Sequence, residues 1–154
     1  MIIRHQLDVH QQNYTILAQA IAIEPARSVE KTDVIRLLIV DDQASVRKGL
    51  RMRLEAEPDL LIVGEAADGE AALSLAQTQC PDVVLMDVKM PGMDGIAATE
   101  RLRVICPSVA VIMLSVYDDA QTRAQAAKAG ARAFVPKSVP TDMLLATIRQ
   151  AAAG

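Results

Sequence analysis

From Arg36 onward the chain alternates short, continuously apolar runs with stretches whose apolar residues recur at helical spacing. The runs are Leu37 to Val40, Leu60 to Val63, Val83 to Met86, Val109 to Leu114 and Ala133 to Val135. Their length and uniform hydrophobicity are those of parallel strands covered on both faces. Between them, Val46, Leu50 and Leu54 predict a first helix, Ala72, Leu75 and Ala76 a second, and Ile96, Leu102 and Ile105 a third. Leu144, Leu145 and Ile148 predict the last, while the segment Asp118 to Ala129 reads as a helix that offers the core only alanines. Punctuation agrees: Pro81-Asp82 precedes the third run, Gly130 suits a left-handed helix cap, and Thr141 is placed to cap the last helix. Five βα units predict one doubly wound α/β domain over residues 36–154, preceded by an unassigned extension over residues 1–35.

Composition narrows what such a domain can do. The 154 residues are 51% hydrophobic and 23% charged, with a net charge of −3, so no basic face is available for a phosphate backbone and no DNA contact is expected from these residues. Aromatics make up 2% of the chain, only Tyr14, Tyr117 and Phe134, too few for a base-stacking surface. Thr15 to Ile23 is too short and too interrupted for a membrane span and lacks the cleavage site of a secretory signal. Glu24-Pro25-Ala26-Arg27-Ser28 reads as a helix stop followed by linker. Cys80 and Cys106 have neither CxxC spacing nor a histidine partner, so they are read as two buried apolar thiols in a reducing cytoplasm.

In an open parallel sheet the reactive site lies beyond the carboxyl ends of the strands. There the chain places Asp41 and Asp42 after the first run, Asp87 after the third, Ser115 after the fourth and Lys137 after the fifth. With the first and third strands as neighbours, three carboxylates converge, an arrangement that unpaired like charges resist. A magnesium ion relieves it, because Mg²⁺ takes one or two carboxylates and keeps waters to share with a substrate phosphate. Phosphoryl transfer with Asp87 as nucleophile follows. Taken singly, the Asp41-Asp42 pair would also serve as a helix N-cap and Asp87 as a turn residue; the four strand ends together fit one mechanism.

Three stretches carry a family resemblance: Leu38-Ile39-Val40-Asp41-Asp42, the run Val84-Leu85-Met86-Asp87-Val88-Lys89-Met90-Pro91-Gly92-Met93-Asp94-Gly95, and Phe134-Val135-Pro136-Lys137. They resemble the receiver domain of bacterial two-component response regulators. The wording around Gln43 to Leu50 and Val63 to Ala71 is similar to that of the NarL/FixJ (LuxR-type) class. The resemblance implies a flavodoxin-like (βα)5 three-layer sandwich with strand order 2-1-3-4-5. It further implies that Asp87 accepts phosphate from the phosphohistidine of a cognate sensor histidine kinase. Asp42 and Asp87 would bind Mg²⁺ directly, Lys89 would lend its backbone carbonyl, and Asp41 would act through water. Lys137 would pair with Asp87 and then with the phosphoryl group, Ser115 would bond a phosphoryl oxygen, and Phe134 would be the switch aromatic.

The implied protein is a cytoplasmic switch rather than an enzyme, assisting only its own phosphorylation and dephosphorylation. Its output surface, also the expected face of a homodimer, is formed by the alanine-only helix, the fifth strand and the last helix. Regulators of this class usually carry a C-terminal helix-turn-helix, so a transcription-regulating DNA-binding domain is expected beyond Gly154, outside this chain. The alternatives are a stand-alone single-domain regulator and an aspartate-nucleophile phosphohydrolase; against the latter, Lys89 stands where that chemistry resembles Asp-x-Asp. Two departures from the family pattern are Ser138, where many members have proline, and Val116 beside Ser115, expected to narrow phosphodonor access. A cis bond kept at Lys137-Ser138 would be a non-proline one costing about 2.5–4 kcal/mol.

Overall fold

The computed structural model describes residues 34–154; the readings made on Thr15 to Ile23 and Glu24 to Ser28 lie outside the described residues. Five strands and five helices alternate along the chain: β1 (Ile35–Val40), α1 (Ala44–Leu54), β2 (Leu60–Ala66), α2 (Gly69–Gln79), β3 (Val83–Asp87), α3 (Gly95–Ile105), β4 (Ala110–Ser115), α4 (Ala120–Ala129), β5 (Ala133–Pro136) and α5 (Thr141–Ala153). All strand pairs are parallel and the order is β2-β1-β3-β4-β5. The sheet is therefore doubly wound, with its switch point between β1 and β3.

Period-two alternation splits the core into two layers. Leu37, Ile39, Leu85 and Ile112 face one side and pack with Leu50 and Leu54 of α1 and Leu144 and Ile148 of α5. Leu38, Val40, Met86 and Met113 face the other, against Ala72 and Ala76 of α2, Ala98 and Leu102 of α3 and Ala126 of α4. Every residue of β3 and β4 is buried, which is why those strands read as unbroken apolar runs.

Helix starts and stops follow local chemistry. The side chains of Asp68, Asp94 and Asp119 accept hydrogen bonds from the Ala71, Ala97 and Thr122 amides, capping α2, α3 and α4. Gly130 closes α4 at φ +108, as its sequence position predicts.

Several expectations are corrected. α4 begins at Ala120, because Asp118 pairs with Arg123 instead of joining the helix and Asp119 takes the cap. Thr141 is the first residue of α5 and not its cap; Pro140 holds the cap position at φ −60, and the Thr141 hydroxyl accepts from Arg53 Nε at 2.9 Å. Ile105, the last residue of α3, is 41% exposed, leaving Ala98 and Leu102 to anchor that helix. Cys80 is exposed and Cys106 half-buried, because each occupies a helix C-cap at the rim of the sheet, Cys80 with the left-handed φ of +48. Among the described residues every peptide bond is trans, Lys137–Ser138 included.

Candidate functional site

The carboxyl ends of β1 and β3 adjoin at the switch point, so the residues that end them meet. Asp41 and Asp42 follow β1 directly, and Asp87 is the last residue of β3. Carboxylate oxygens of Asp41, Asp42 and Asp87 lie within 4.8 Å of one another. Asp41 and Asp87 are buried, at 1% and 5% exposure, while Asp42 faces solvent. The acidic pair does not cap α1: the cap position belongs to Gln43, whose side chain makes no cap hydrogen bond, and Asp41 Oδ1 instead accepts from the Gln43 amide at 2.9 Å.

Lys137 enters from the end of β5. Its Nζ stands 2.6 Å from Asp41 Oδ2 and 3.1 Å from Asp87 Oδ1. The family resemblance pairs this lysine with Asp87; here it bridges two carboxylates and lies closer to Asp41. Its position is fixed by its own backbone, since the Lys137 amide donates to the Ser115 carbonyl at 2.9 Å. Burial pushes the Asp87 carboxyl up, the Lys137 hydrogen bond pulls it back, and the Asp41 charge pushes it up again, leaving it at about 6. For Lys137, burial lowers the ammonium and its bonds to Asp41 and Asp87 outweigh that, so it ends above the ordinary lysine value.

Ser115 closes β4 and is buried, its Oγ accepting from the Tyr117 amide at 3.0 Å. Val116 beside it is 72% exposed. Lys89 is exposed in the β3–α3 connection, with its Nζ 4.4 Å from the centre of the Tyr117 ring. Phe134, half-buried on β5, pairs in register with Met113 of β4.

The structure adds two supports that the sequence pattern does not single out. Arg47 of α1 donates to the Asp41 carbonyl at 2.7 Å and pairs with Glu65 of β2 at 3.4 Å, tying the acidic turn to helix and edge strand. Gly95 lies so close to β3 that a Cβ there would sit 1.9 Å from the Asp87 carbonyl oxygen. Its place in a Pro-Gly-Met-Asp-Gly stretch signals a turn, but the need for a missing side chain is set by tertiary approach. Buried carboxylates sharing one ammonium beside an exposed carboxylate suit a divalent cation with oxygen ligands, and they leave Asp87 able to act as a nucleophile.

Comparison with known proteins bears on the family and the fold. The family model described as the response regulator receiver domain matches residues 37–149. The nitrate/nitrite response regulator protein NarL of Escherichia coli strain K12 is 35% identical over 118 residues, covering 77% of this chain and 55% of that protein. The chain spans about half the length of the curated relatives it matches. Among solved structures, the signal receiver domain of NarL from Mycobacterium tuberculosis superposes with a TM-score of 0.76 at 32% identity, covering 79% of this chain and 98% of that one. A CheX–CheY complex with BeF3 and Mg²⁺ from Borrelia burgdorferi contains a chain with a TM-score of 0.70 at 28% identity, covering 75% of this chain and 87% of that one. Among the described residues no helix is long and apolar enough to cross a membrane.

Proposed function

The chain belongs to the response regulator receiver family, and from that premise we propose that the unit from Val34 to Gly154, which takes in Ile35 as the start of β1, is a cytoplasmic phosphoacceptor switch, with the residues before Val34 an extension not assigned to it. The observation that carries this reading is the Lys137 ammonium held between Asp41 and Asp87 beside the exposed Asp42. An Asp87 oxygen attacks the phosphorus of a histidine kinase's phosphohistidine. The new O–P bond forms as the P–N bond breaks, and that electron pair leaves with the imidazole. With its carboxyl at about 6, Asp87 is mostly ionised at neutral pH and ready as nucleophile. Lys137 then exchanges part of its contact with Asp87 for a phosphoryl oxygen, and Ser115 donates its hydroxyl to another.

Asp42 and Asp87 would hold Mg²⁺ with the Lys89 backbone carbonyl, and Asp41, whose two oxygens already serve Gln43 and Lys137, would act through water. When bound, the ion neutralises charge on the phosphoryl oxygens. The likeness to a chain of the CheX–CheY complex, which contains BeF3 and Mg²⁺, supports carrying this chemistry over. A kinase helix would dock on α1, beside an apolar crevice of about 120 Å³ that Val46, Leu50 and Leu144 share with Lys137. The output is transcriptional, by analogy with NarL-type relatives, through a DNA-binding domain outside these residues, and the α4-β5-α5 face forms the homodimer.

Incubation with Mg²⁺ and a small phosphodonor should add one phosphoryl group, read by intact mass. The adduct should be lost in Asp87→Asn and on chelation with EDTA. Repeated release of inorganic phosphate from an aryl phosphate, with no accumulated adduct, would mean a hydrolase instead.

A further inference from the structure

The chain contains a single phenylalanine, Phe134, and its ring is covered from outside by a cation. The guanidinium carbon of Arg123, on α4, lies 4.8 Å from the ring centre. That is within reach of a cation–π attraction. The guanidinium is itself held by Asp118, whose carboxylate accepts from Arg123 Nε. Asp118 belongs to the β4–α4 connection that begins right after Ser115. The same connection is pinned at its start by the Tyr117 amide donating to Ser115 Oγ at 3.0 Å. One continuous path therefore runs from the strand end in the acidic cleft, through Ser115, Tyr117, Asp118 and Arg123, to the Phe134 ring.

α4 gives this path freedom to move. Ala126 and Ala129 are its only buried residues, so the helix has no large side chain seated in the core to fix its height over β5. Contacts made by its exposed side chains then take a larger share in setting its position. Of these, Arg123 lies over the aromatic ring.

We infer that Arg123 is a positioning residue for the switch, a latch that, braced by Asp118, holds the Phe134 ring at the half-buried surface and α4 against it. This rests on the proposed phosphoacceptor role only in what releases the latch. If the Ser115 hydroxyl turns to a phosphoryl oxygen, it gives up the Tyr117 amide, and the connection carrying Asp118 is freed. Arg123 then loses its brace and leaves the ring, which can turn inward toward the space beside Ser115. The latch itself exists without phosphate, and it can be broken without touching the acidic cleft.

Because the chain has one phenylalanine, uniform labelling with 4-fluorophenylalanine gives a single ¹⁹F resonance that reports Phe134 alone. Three full-length variants without phosphodonor test the latch: Arg123→Gln, Asp118→Asn and Arg123→Lys. Asp118→Asn keeps the Arg123 cation and removes its brace; because the lost charge also alters the field at the ring, exchange of the α4 amides is the readout that decides. In Asp118→Asn and Arg123→Gln, hydrogen exchange of the α4 amides is expected to rise roughly two- to fivefold, the size of one exposed cation–π contact. The ¹⁹F resonance should move in the direction that phosphodonor and Mg²⁺ move it in the parent protein. Arg123→Lys, which keeps the cation, should restore most of both. Parent-like α4 exchange in either Asp118→Asn or Arg123→Gln overturns the latch. If intact mass shows no phosphoryl group on Asp87 while the donor-free changes persist, the phosphoacceptor reading fails and the latch stands.

Discussion

α4 and α5 flank β5 from opposite faces of one sheet, and they are held by different means. α5 buries Leu144, Leu145, Ile148 and Ala151, whereas α4 buries only Ala126 and Ala129. Fully burying three large aliphatic side chains contributes on the order of 5–9 kcal/mol, against about 0.8 kcal/mol for each alanine methyl. α5 is thus part of the core that must unfold with everything else. α4 is docked on a core that the other elements complete. Phe134 leaves β5 toward the α4 layer, while its neighbours Ala133 and Val135 face the α5 layer. A change at the cleft therefore meets a lightly anchored helix on one face and a deeply anchored one on the other, and under the proposed switch α4 is the element expected to respond to a charge at Asp87.

The largest expected effect comes from weakening the fixed face. Ile148 is fully buried among Leu37, Leu54 and Leu144, so Ile148→Ala should lower global stability by about 2–5 kcal/mol. Urea denaturation should show this as a lower midpoint with an unchanged slope. A loss under about 1 kcal/mol would mean that α5 is no better anchored than α4, and the contrast would fail.

Much of this contrast is legible in the amino-acid pattern alone. Buried parallel strands read as unbroken apolar runs because both faces are covered, and α4 stands out because Asp118 to Ala129 holds no large apolar residue. Asp41, Asp42, Asp87, Ser115 and Lys137 are legible as a set because each ends a strand, and topology alone brings strand ends together. What stays hidden depends on side chains meeting from distant elements. Lys137 reaching Asp41 more closely than Asp87, Arg53 taking the Thr141 hydroxyl, and Arg123 covering Phe134 leave no periodic trace. Cys80 misleads because a thiol usually marks core, whereas here it caps a helix in the left-handed region.

Asp87 tests which face answers to charge. Its carboxyl titrates at about 6, above the ordinary 3.8, chiefly through burial. The folded state thus binds this proton more tightly than the unfolded one, and ionised Asp87 lowers stability above pH 6. Without divalent ions, Asp87→Asn should therefore raise stability by about 1–2 kcal/mol at pH 7.5, less than the full linkage value because Lys137 loses a partner. The gain should fade as pH drops through 6 and vanish near 4, read by thermal melts across that range. Millimolar Mg²⁺ should raise the melting temperature of the parent protein more than that of the variant. In the same samples, amide exchange should change in α4 and stay constant in α5 relative to the global shift. Equal changes in both helices would remove the asymmetry.

The smallest effect discriminates best. Ala124 of α4 and Ala146 of α5 are both exposed and lie inside their helices, so glycine at either should cost the same intrinsic amount, about 0.5–1 kcal/mol. Both variants should speed exchange of the most protected core amides alike, by roughly two- to fivefold, because each weakens the native state against full unfolding. They should differ in the amides of α4. If α4 opens while α5 stays folded, Ala146→Gly alters the closed and open forms equally and leaves α4 exchange unchanged. Ala124→Gly, by contrast, speeds it by the full factor. If Ala146→Gly instead accelerates α4 amides as much as the core, α4 opens only when the whole domain does. A helix that cannot move alone could not carry a signal from Asp87 to the surface by itself, and the switch would then have to work through a shift of the entire β4–β5 side.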